Sequence, residues 1–512
     1  LHSEERVAVG VTALYLANIA TLVLNTVFLV LLTNWVPVEE VGFVTLLNLV
    51  VVSAATVAVL ALPVSGTGLT ATPPAVTRFL AEFAGRGTGA ARRVYVTSAA
   101  ICGVVSVAAA AVVSYAPVAS AVAGQFSHAA VFVAAADAVA YSFAQLGAYS
   151  MLGAGKAPAA GKLMIASSAV RYASAAALLV SGFGPTGIFV GFIAGDALQA
   201  LLGNASAFRH VSGPRAAGVD MKPVTRYMTS VLGAALVGLA VSQTDKVVAF
   251  LQGGHLSIAL YNVASVGAAV ASFAPAAATN VLVPALSSYG NDPEKKRSFV
   301  RKYTRYVTLV AMPMGLGLAA LSPFLLQVFG SQYASAAPVL AIISVSIGLS
   351  AIVSVYASIL LVDDKAHLFT YSSLIALAAL VVVAVLTVPS LGLNGVALGR
   401  AAMVLVMLGA VAYFVKRSGM LVLDAPAYVK SLAASGAMAA FIYGSLTLAG
   451  RFGLSSRAEV VSGSAVMMLT GLLVYVLAMK LIGGFSEDDM DFVDALVPRR
   501  LRFVARLARK LL

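Results

Sequence analysis

Six ionisable side chains stand inside long apolar runs of this sequence: Asp137, Arg171, Asp196, the adjacent pair Asp245 and Lys246, and Arg400. A charge at the centre of a membrane-spanning helix costs about 2.5–3.5 kcal/mol on insertion scales, so such residues face a bundle interior or a watery cavity. Three kinds of chemistry are open to them. The carboxylates can carry a proton, the cations can hold an anionic group, and opposite signs can neutralise each other and lock helices together. Three acids and three bases sum to zero, which suits the last use.

Asp245 has the most informative surroundings. Gly238, Ser242, Asp245, Ala249 and Gln252 recur at helical spacing and lay a small and polar stripe along one face. Lys246 lies one turn beyond Ser242, and adjacent residues point roughly 100° apart on a helix, so the two charges need not pair with each other. Near the start of the chain Asn18, Thr21 and Asn25 supply a milder polar stripe. Both charges are expected to border a cavity between these two segments, the first and seventh helices, where a desolvated Asp245 is placed to take up a proton.

Other chemistry is excluded. The phosphate-cradling pattern G-x-x-x-x-G-K-[ST] fails at Gly155-Lys156, where Ser150 takes the first glycine position and Ala157 follows the lysine. The five histidines are scattered and show no ligand spacing, and a single cysteine, Cys102, allows neither an intramolecular disulfide nor a thiolate metal cluster. No cofactor or metal is expected, and no enzymatic activity.

The elements that must position these residues follow from composition. Of 512 residues 60% are hydrophobic and 10% charged, against about 25% charged in soluble domains, and the mean hydropathy is +0.96. This is a membrane protein with no room for a soluble domain of ordinary size. The net charge of +13 is not a nucleic-acid signature, since no basic face on a soluble module accompanies it. In a polytopic protein the same excess collects in cytoplasmic loops.

Taking about 20 apolar residues per crossing, fourteen helices are expected: 7–32, 42–63, 94–116, 129–150, 159–180, 186–208, 228–251, 256–286, 304–328, 334–361, 368–388, 393–414, 429–448 and 459–481. The lysines and arginines test this count. All odd-numbered connections but the last lack them, whereas the even-numbered ones hold clusters such as Arg78, Arg86, Arg92 and Arg93, or Lys295, Lys296, Arg297, Arg301 and Lys302. Both termini are then expected in the cytoplasm of a multi-pass plasma-membrane protein, with the first helix retained rather than cleaved. The only tryptophan, Trp35, falls at the outer end of that helix. Outer connections mostly shorter than about ten residues are tight helix links, which disfavours a membrane polymerase or ligase.

The chain also repeats itself. Asn25 to Thr45 aligns without gaps on Gln243 to Val263, MLGAGKAPAAGKL (151–163) matches LLVDDKAHLFTYS (360–372) around Lys156 and Lys365, and GFGPTGIFVGF (182–192) matches VPSLGLNGVALGR (388–400). Order and spacing agree across the three pairs. The expected fold is all-α and polytopic: a lobe of helices 1–6 (residues 1–215), a second of helices 7–12 (216–420) related by a pseudo-two-fold along the membrane normal, helices 13 and 14 (421–484), and a basic amphipathic tail (485–512) lying on the anionic inner leaflet. Prolines 275, 284, 313 and 323 in or near helices 8 and 9 are candidate kinks.

Fourteen helices in a six-plus-six repeat with two added resemble the polysaccharide-export branch of the multidrug/oligosaccharidyl-lipid/polysaccharide exporter superfamily. Local residues agree: TDKVVAFLQGGHLSIALYNVAS from Thr244 resembles the family's helix-7 Asp and following L-x-x-Y segment, SILLVDDKAH from Ser358 its turn before a Lys, and VPSLGLNGVALG from Val388 its P-x-x-G-x-x-G-V-A turn. The resemblance implies a flippase that moves a polyprenyl-phosphate-linked sugar or oligosaccharide between leaflets by alternating access, for cell-surface polysaccharide or glycoprotein synthesis. It implies a cavity in which Arg171, Lys246 and Arg400 hold the anionic head group, diluted by Asp137, Asp196 and Asp245, with Asn18 and Asn25 on its wall. Membrane lipids, a lipid-linked sugar and H+ or Na+ are the expected partners, and nucleic acid is not. The alternative is an ion-coupled drug or cation antiporter of the same superfamily.

Overall fold

In lipid no water is available to pair backbone N–H and C=O groups, so an apolar run of membrane length must satisfy them internally, as a helix. The computed structural model of the chain, which describes residues 3–59, 75–84, 88–211, 221–269, 271, 282, 286, 292–363, 365–422, 424–450 and 457–486, follows that rule. The described residues contain no strand.

They divide into two compact units, one up to Asn262 and one from Val263. The first holds α1 (Ser3–Trp35), α2 (Val38–Val59), α3 (Ala75–Ala84), α4 (Thr88–Ser114), α5 (Ala116–Ala123), α6 (His128–Gly153), α7 (Ala157–Val180), α8 (Gly184–Val211) and most of α9 (Lys222–Ala269). The second holds the end of α9 with α10 (Pro293–Phe329), α11 (Ala337–Val362), α12 (Ala366–Leu391), α13 (Leu393–Arg417), α14 (Ala425–Gly450) and α15 (Arg457–Leu481). Thirteen described helices are long and apolar enough to cross a membrane, and one of these, α9, is a 48-residue helix broken at Gly253 and Gly254. The expected helices at 228–251 and 256–286 are thus one broken helix as far as Ala269, and most of the latter's remaining length lies outside the described residues.

Lipid rather than water is the natural surrounding of these helices. Val382, Val385 and Leu386 on α12 and Leu469 and Leu472 on α15 stand exposed, and apolar surface on that scale is not tolerated by a monomeric soluble protein. In the first unit α6 packs along α8, α8 along α7, and α7 along α1, while α2 and α4 close on α6. In the second, α12 and α13 form a hairpin, α11 packs on α13 and α10, and α14 and α15 dock on α10. That docking is partly polar: the Tyr475 hydroxyl donates to Leu309 O at 2.9 Å and lies 3.2 Å from the Ser431 hydroxyl. One turn earlier on α10, Arg305 binds Asp424 at 3.3 Å and Gly484 O at 2.8 Å.

The repeat appears in local geometry. Lys156 precedes α7 with φ −100° and ψ 37°, and Lys365 precedes α12 with φ −102° and ψ 32°. Each backbone N–H closes onto the carbonyl five residues back, Met151 or Leu360, at 2.9 and 2.8 Å. Each ammonium then reaches the hydroxyl of a serine in the last turns of, or just beyond, the helix that follows, Ser206 on α8 and Ser418 after α13, at 3.4 and 2.9 Å.

Two helices occupy stretches expected to be connections. Eight residues, Ala116–Ala123, form α5 in the odd-numbered link, and α3 lies in the first basic link. Sequence reading passed over α3 because ten residues cannot span a bilayer, yet Ala75, Val76, Phe79 and Leu80 are all buried while Arg78 and Glu82 are exposed, the pattern of a helix lying on a core. Pro313 and Pro323 sit inside the continuous α10. Pro275, Pro284 and the basic tail from Phe492 lie outside the described residues.

Candidate functional site

Arg171 is the centre of a charged cluster inside the first unit. It projects from α7 and is buried, as are Asp196 on α8 and Asp137 on α6, which are 4% and 0% exposed. One guanidinium nitrogen makes a close charged hydrogen bond to Asp196 Oδ2. The other lies 3.8 Å from Asp137 Oδ2 and 3.4 Å from the side-chain oxygen of Asn48 on α2. The guanidinium face rests on the Phe192 ring at 4.0 Å, with Tyr141 at 5.2 Å, the stacking a planar cation favours.

Close helix approach makes this possible. A Cβ on Gly195 would lie 2.5 Å from both Ser167 O and Arg171 Cβ, so only glycine lets α8 come this near to α7 and present Asp196. One turn along, Ser167 donates to Gln199 at 2.5 Å, and Gln199 donates to Ala144 O at 3.1 Å, tying α6, α7 and α8 together.

The cluster is not balanced: two carboxylates face one guanidinium, and neither Asp137 oxygen nor Arg171 Nε has a hydrogen-bond partner. Such an arrangement can hold three helices together and can accommodate a further positive charge at Asp137.

Asp245 lies elsewhere, on α9, and is 4% exposed. Its Oδ2 accepts from the Tyr261 hydroxyl at 3.0 Å, and its Oδ1 from the Lys246 backbone N–H at 2.9 Å. Tyr261 stands on the second leg of the same helix. Between them Gly253 and Gly254 leave helical geometry, and Gly254 takes φ +64°, a conformation that costs glycine nothing and other residues much more. Ser257 donates to Gln252 across the same break at 2.9 Å. Asp245 therefore staples the two legs of a broken helix. Half-buried Lys246 turns to Gln243, donating to its side-chain oxygen at 3.1 Å.

The break is cradled on one side. His255 lies edge-on to the rings of Phe43, Phe126 and Phe250, at 5.7, 5.1 and 5.3 Å, with Nε2 3.2 Å from Val122 O. Asn262 on the second leg donates to Thr45 on α2 at 3.4 Å.

Of the eight residues singled out from sequence, Asp137, Arg171 and Asp196 meet in one cluster, and Asp245 and Lys246 are neighbours with separate partners. Asn18 is exposed and Asn25 half-buried on α1, and among the described residues no hydrogen bond joins either to the Arg171 cluster. Arg400 lies half-buried on α13, in the second unit. The sequence reading missed Asn48, Ser167, Gln199 and Tyr261. For Tyr261 a signal existed, since it opens the Y-N-V segment aligned with Phe43.

Residues 90–338, just under half the chain, match a family model described as polysaccharide biosynthesis protein. No match was found among curated protein sequences. Among solved structures, the lipid II flippase MurJ in an inward closed conformation superposes with a TM-score of 0.64 at 13% identity, covering 91% of this chain and 97% of that one. An inward-facing multidrug resistance MATE transporter of the MOP superfamily gives 0.60 at 16% identity, covering 78% and 95%. A MOP superfamily transporter from Pyrococcus furiosus, whose binding pocket is described as reversed in polarity, gives 0.56 at 16%, covering 80% and 95%. The chain is a polytopic helical membrane protein with the fold shared by MurJ and the MATE transporters of the MOP superfamily, and its residues 90–338 match the polysaccharide biosynthesis family.

Proposed function

We propose that this protein is a flippase that moves a polyprenyl-phosphate-linked sugar or oligosaccharide across the plasma membrane by alternating access, without catalysing a reaction. The observation that carries this reading is the match of residues 90–338 to a polysaccharide biosynthesis family on a fold also found in a lipid II flippase. MurJ also covers 91% of the chain where the multidrug transporter covers 78%, which favours a lipid-linked cargo over the drug-antiporter alternative.

In this reading the glycine break at Gly253 and Gly254 is where α9 bends as the cavity changes its opening, and the Asp245–Tyr261 bond registers the two legs. Lys246 borders the path of the anionic head group in the first unit, with Asn18 and Asn25 on α1, and Arg400 is the corresponding candidate within the second unit. The Arg171, Asp137 and Asp196 cluster holds α6, α7 and α8 as one body and takes H+ or Na+ when transport is ion-coupled.

The test is transfer of a fluorescent polyprenyl-linked sugar in reconstituted vesicles, with and without a pH or Na+ gradient, beside a cationic-dye export assay. The parent is expected to flip the lipid-linked sugar, and Asp245→Asn and Lys246→Ala to lose that activity. Full activity of Asp245→Asn across pH would refute its role, and dye export without flipping would refute the flippase.

A further inference from the structure

We infer that the recess between α3 and the first turns of α9 is a binding site for a phosphate or diphosphate group. It is a cavity of about 570 Å³ on the side of the even-numbered connections, within the roughly 300–1,000 Å³ of small-molecule sites. Arg78 and Glu82 face it from α3, and Lys222, Arg226 and Tyr227 from α9. Three cations and one carboxylate converge there from elements far apart in sequence, so the surplus is focused in a concavity rather than spread along a loop.

A basic face on this side is expected of any polytopic protein, but here the residues are positioned. Ala75, Val76, Phe79 and Leu80 are each at most 4% exposed and anchor α3. Val224, Met228 and Val231 of α9 share a core with Ala75, Phe79 and Val94, so both walls rest on one foundation. Arg78 is held over aromatic rings, its Cζ 4.5 Å from the Tyr227 ring centroid and 5.5 Å from that of Phe79. A guanidinium carries five N–H donors in a planar fork that matches phosphate oxygens, so its contact with Tyr227 positions the group without using all of them. Pro223, the second residue of α9, fixes its backbone φ at the helix start beside Lys222.

The site lies apart from the buried Arg171 cluster, and in the flippase reading, with the even-numbered connections in the cytoplasm, it stands where a lipid carrier's head group arrives before transfer. The inference deepens the flippase reading by naming the phosphate as the recognised group, and it rests on that reading only for the lipid tail.

The experiment is calorimetric titration of the purified full chain with geranyl diphosphate, inorganic pyrophosphate and geraniol. Arg78→Gln and Arg226→Gln are each expected to weaken diphosphate binding about tenfold or more, the loss of one charge-assisted contact. Glu82→Gln is expected to strengthen it, and Lys416→Gln, an exposed cation outside the recess, to leave it unchanged. All four substitutions are on exposed side chains, and thermal unfolding of each variant confirms the fold. Geranyl diphosphate binding well above pyrophosphate identifies a lipid-linked group, and equal affinity identifies a free one. Binding of geraniol alone, or a loss in Lys416→Gln equal to that in Arg78→Gln, would overturn the site. If diphosphate binds here but no lipid-linked sugar is flipped, the transport reading fails and the site stands. If flipping proceeds and binding ignores Arg78 and Arg226, the reverse holds.

Discussion

Replacing Arg171 by leucine tests the charged cluster most directly. The substitution leaves Asp196 and Asp137 buried with no cation between them, at 4% and 0% exposure. Removing one partner of a buried pair costs about 3–5 kcal/mol, because the remaining charge is uncompensated. The two carboxylates are not equivalent. Asp196 makes the close charged hydrogen bond, so Asp196→Asn should cost about 1.5–3 kcal/mol, the range for hydrogen bonds to charged groups. Asp137 stands 3.8 Å away and accepts no hydrogen bond, so its attachment to the cluster is the weaker. Asp137→Asn should therefore change stability by less than about 1 kcal/mol, in either direction. The chain carries its own reporter: its single cysteine, Cys102, is 0% exposed, so a thiol-reactive fluorogenic dye follows unfolding in detergent as that thiol becomes accessible. The expected order of midpoints is Arg171→Leu lowest, then Asp196→Asn, with Asp137→Asn near the parent. Asp137→Asn falling as far as Asp196→Asn would refute the asymmetry.

Gly195→Ala should lower the same midpoint sharply, because its Cβ meets the α7 backbone at Ser167 and Arg171, whereas Gly233→Ala, which meets nothing within 4 Å, should be neutral or slightly stabilising. Tyr261→Phe removes the hydroxyl that Asp245 accepts and should destabilise by about 1–3 kcal/mol; hydrogen exchange is expected to rise on both sides of the Gly253 break, and unchanged exchange there would argue against the staple. Asp292 caps α10: the Lys295 backbone N–H, followed by the Lys295 ammonium, holds its carboxyl below the usual range. A depressed carboxyl stabilises fully above its unfolded value and loses that contribution as pH falls through the lowered one. Exchange at the first amides of α10, corrected for intrinsic rate, should thus rise on acidification in the parent and be high already at neutral pH in Asp292→Ala.

The type and approximate bounds of most of the long helices were legible in the sequence. Apolar length is a local property, and in lipid a run of that length has one way to satisfy its backbone. The sequence also identified the buried charges, since a charge in such a run is conspicuous at its cost. The matched lysines at 156 and 365 were legible for a related reason: each shapes a turn built from its own neighbours in the chain.

Partnership was decided by tertiary structure. Nothing local says that Arg171 meets Asp196 rather than Asp245, because that depends on how closely α7 and α8 approach, which Gly195 and its surroundings set. Asp245 looked from its stripe like the border of a cavity, and the fold gives it Tyr261, sixteen residues on and across a helix break. The apolar face of α3 reads as part of a basic loop until the surfaces of α4, α6 and α9 exist to receive it. Periodicity along one chain reports which face of a helix is apolar, but what lies opposite a side chain is set by packing between segments that the sequence separates by tens to hundreds of residues.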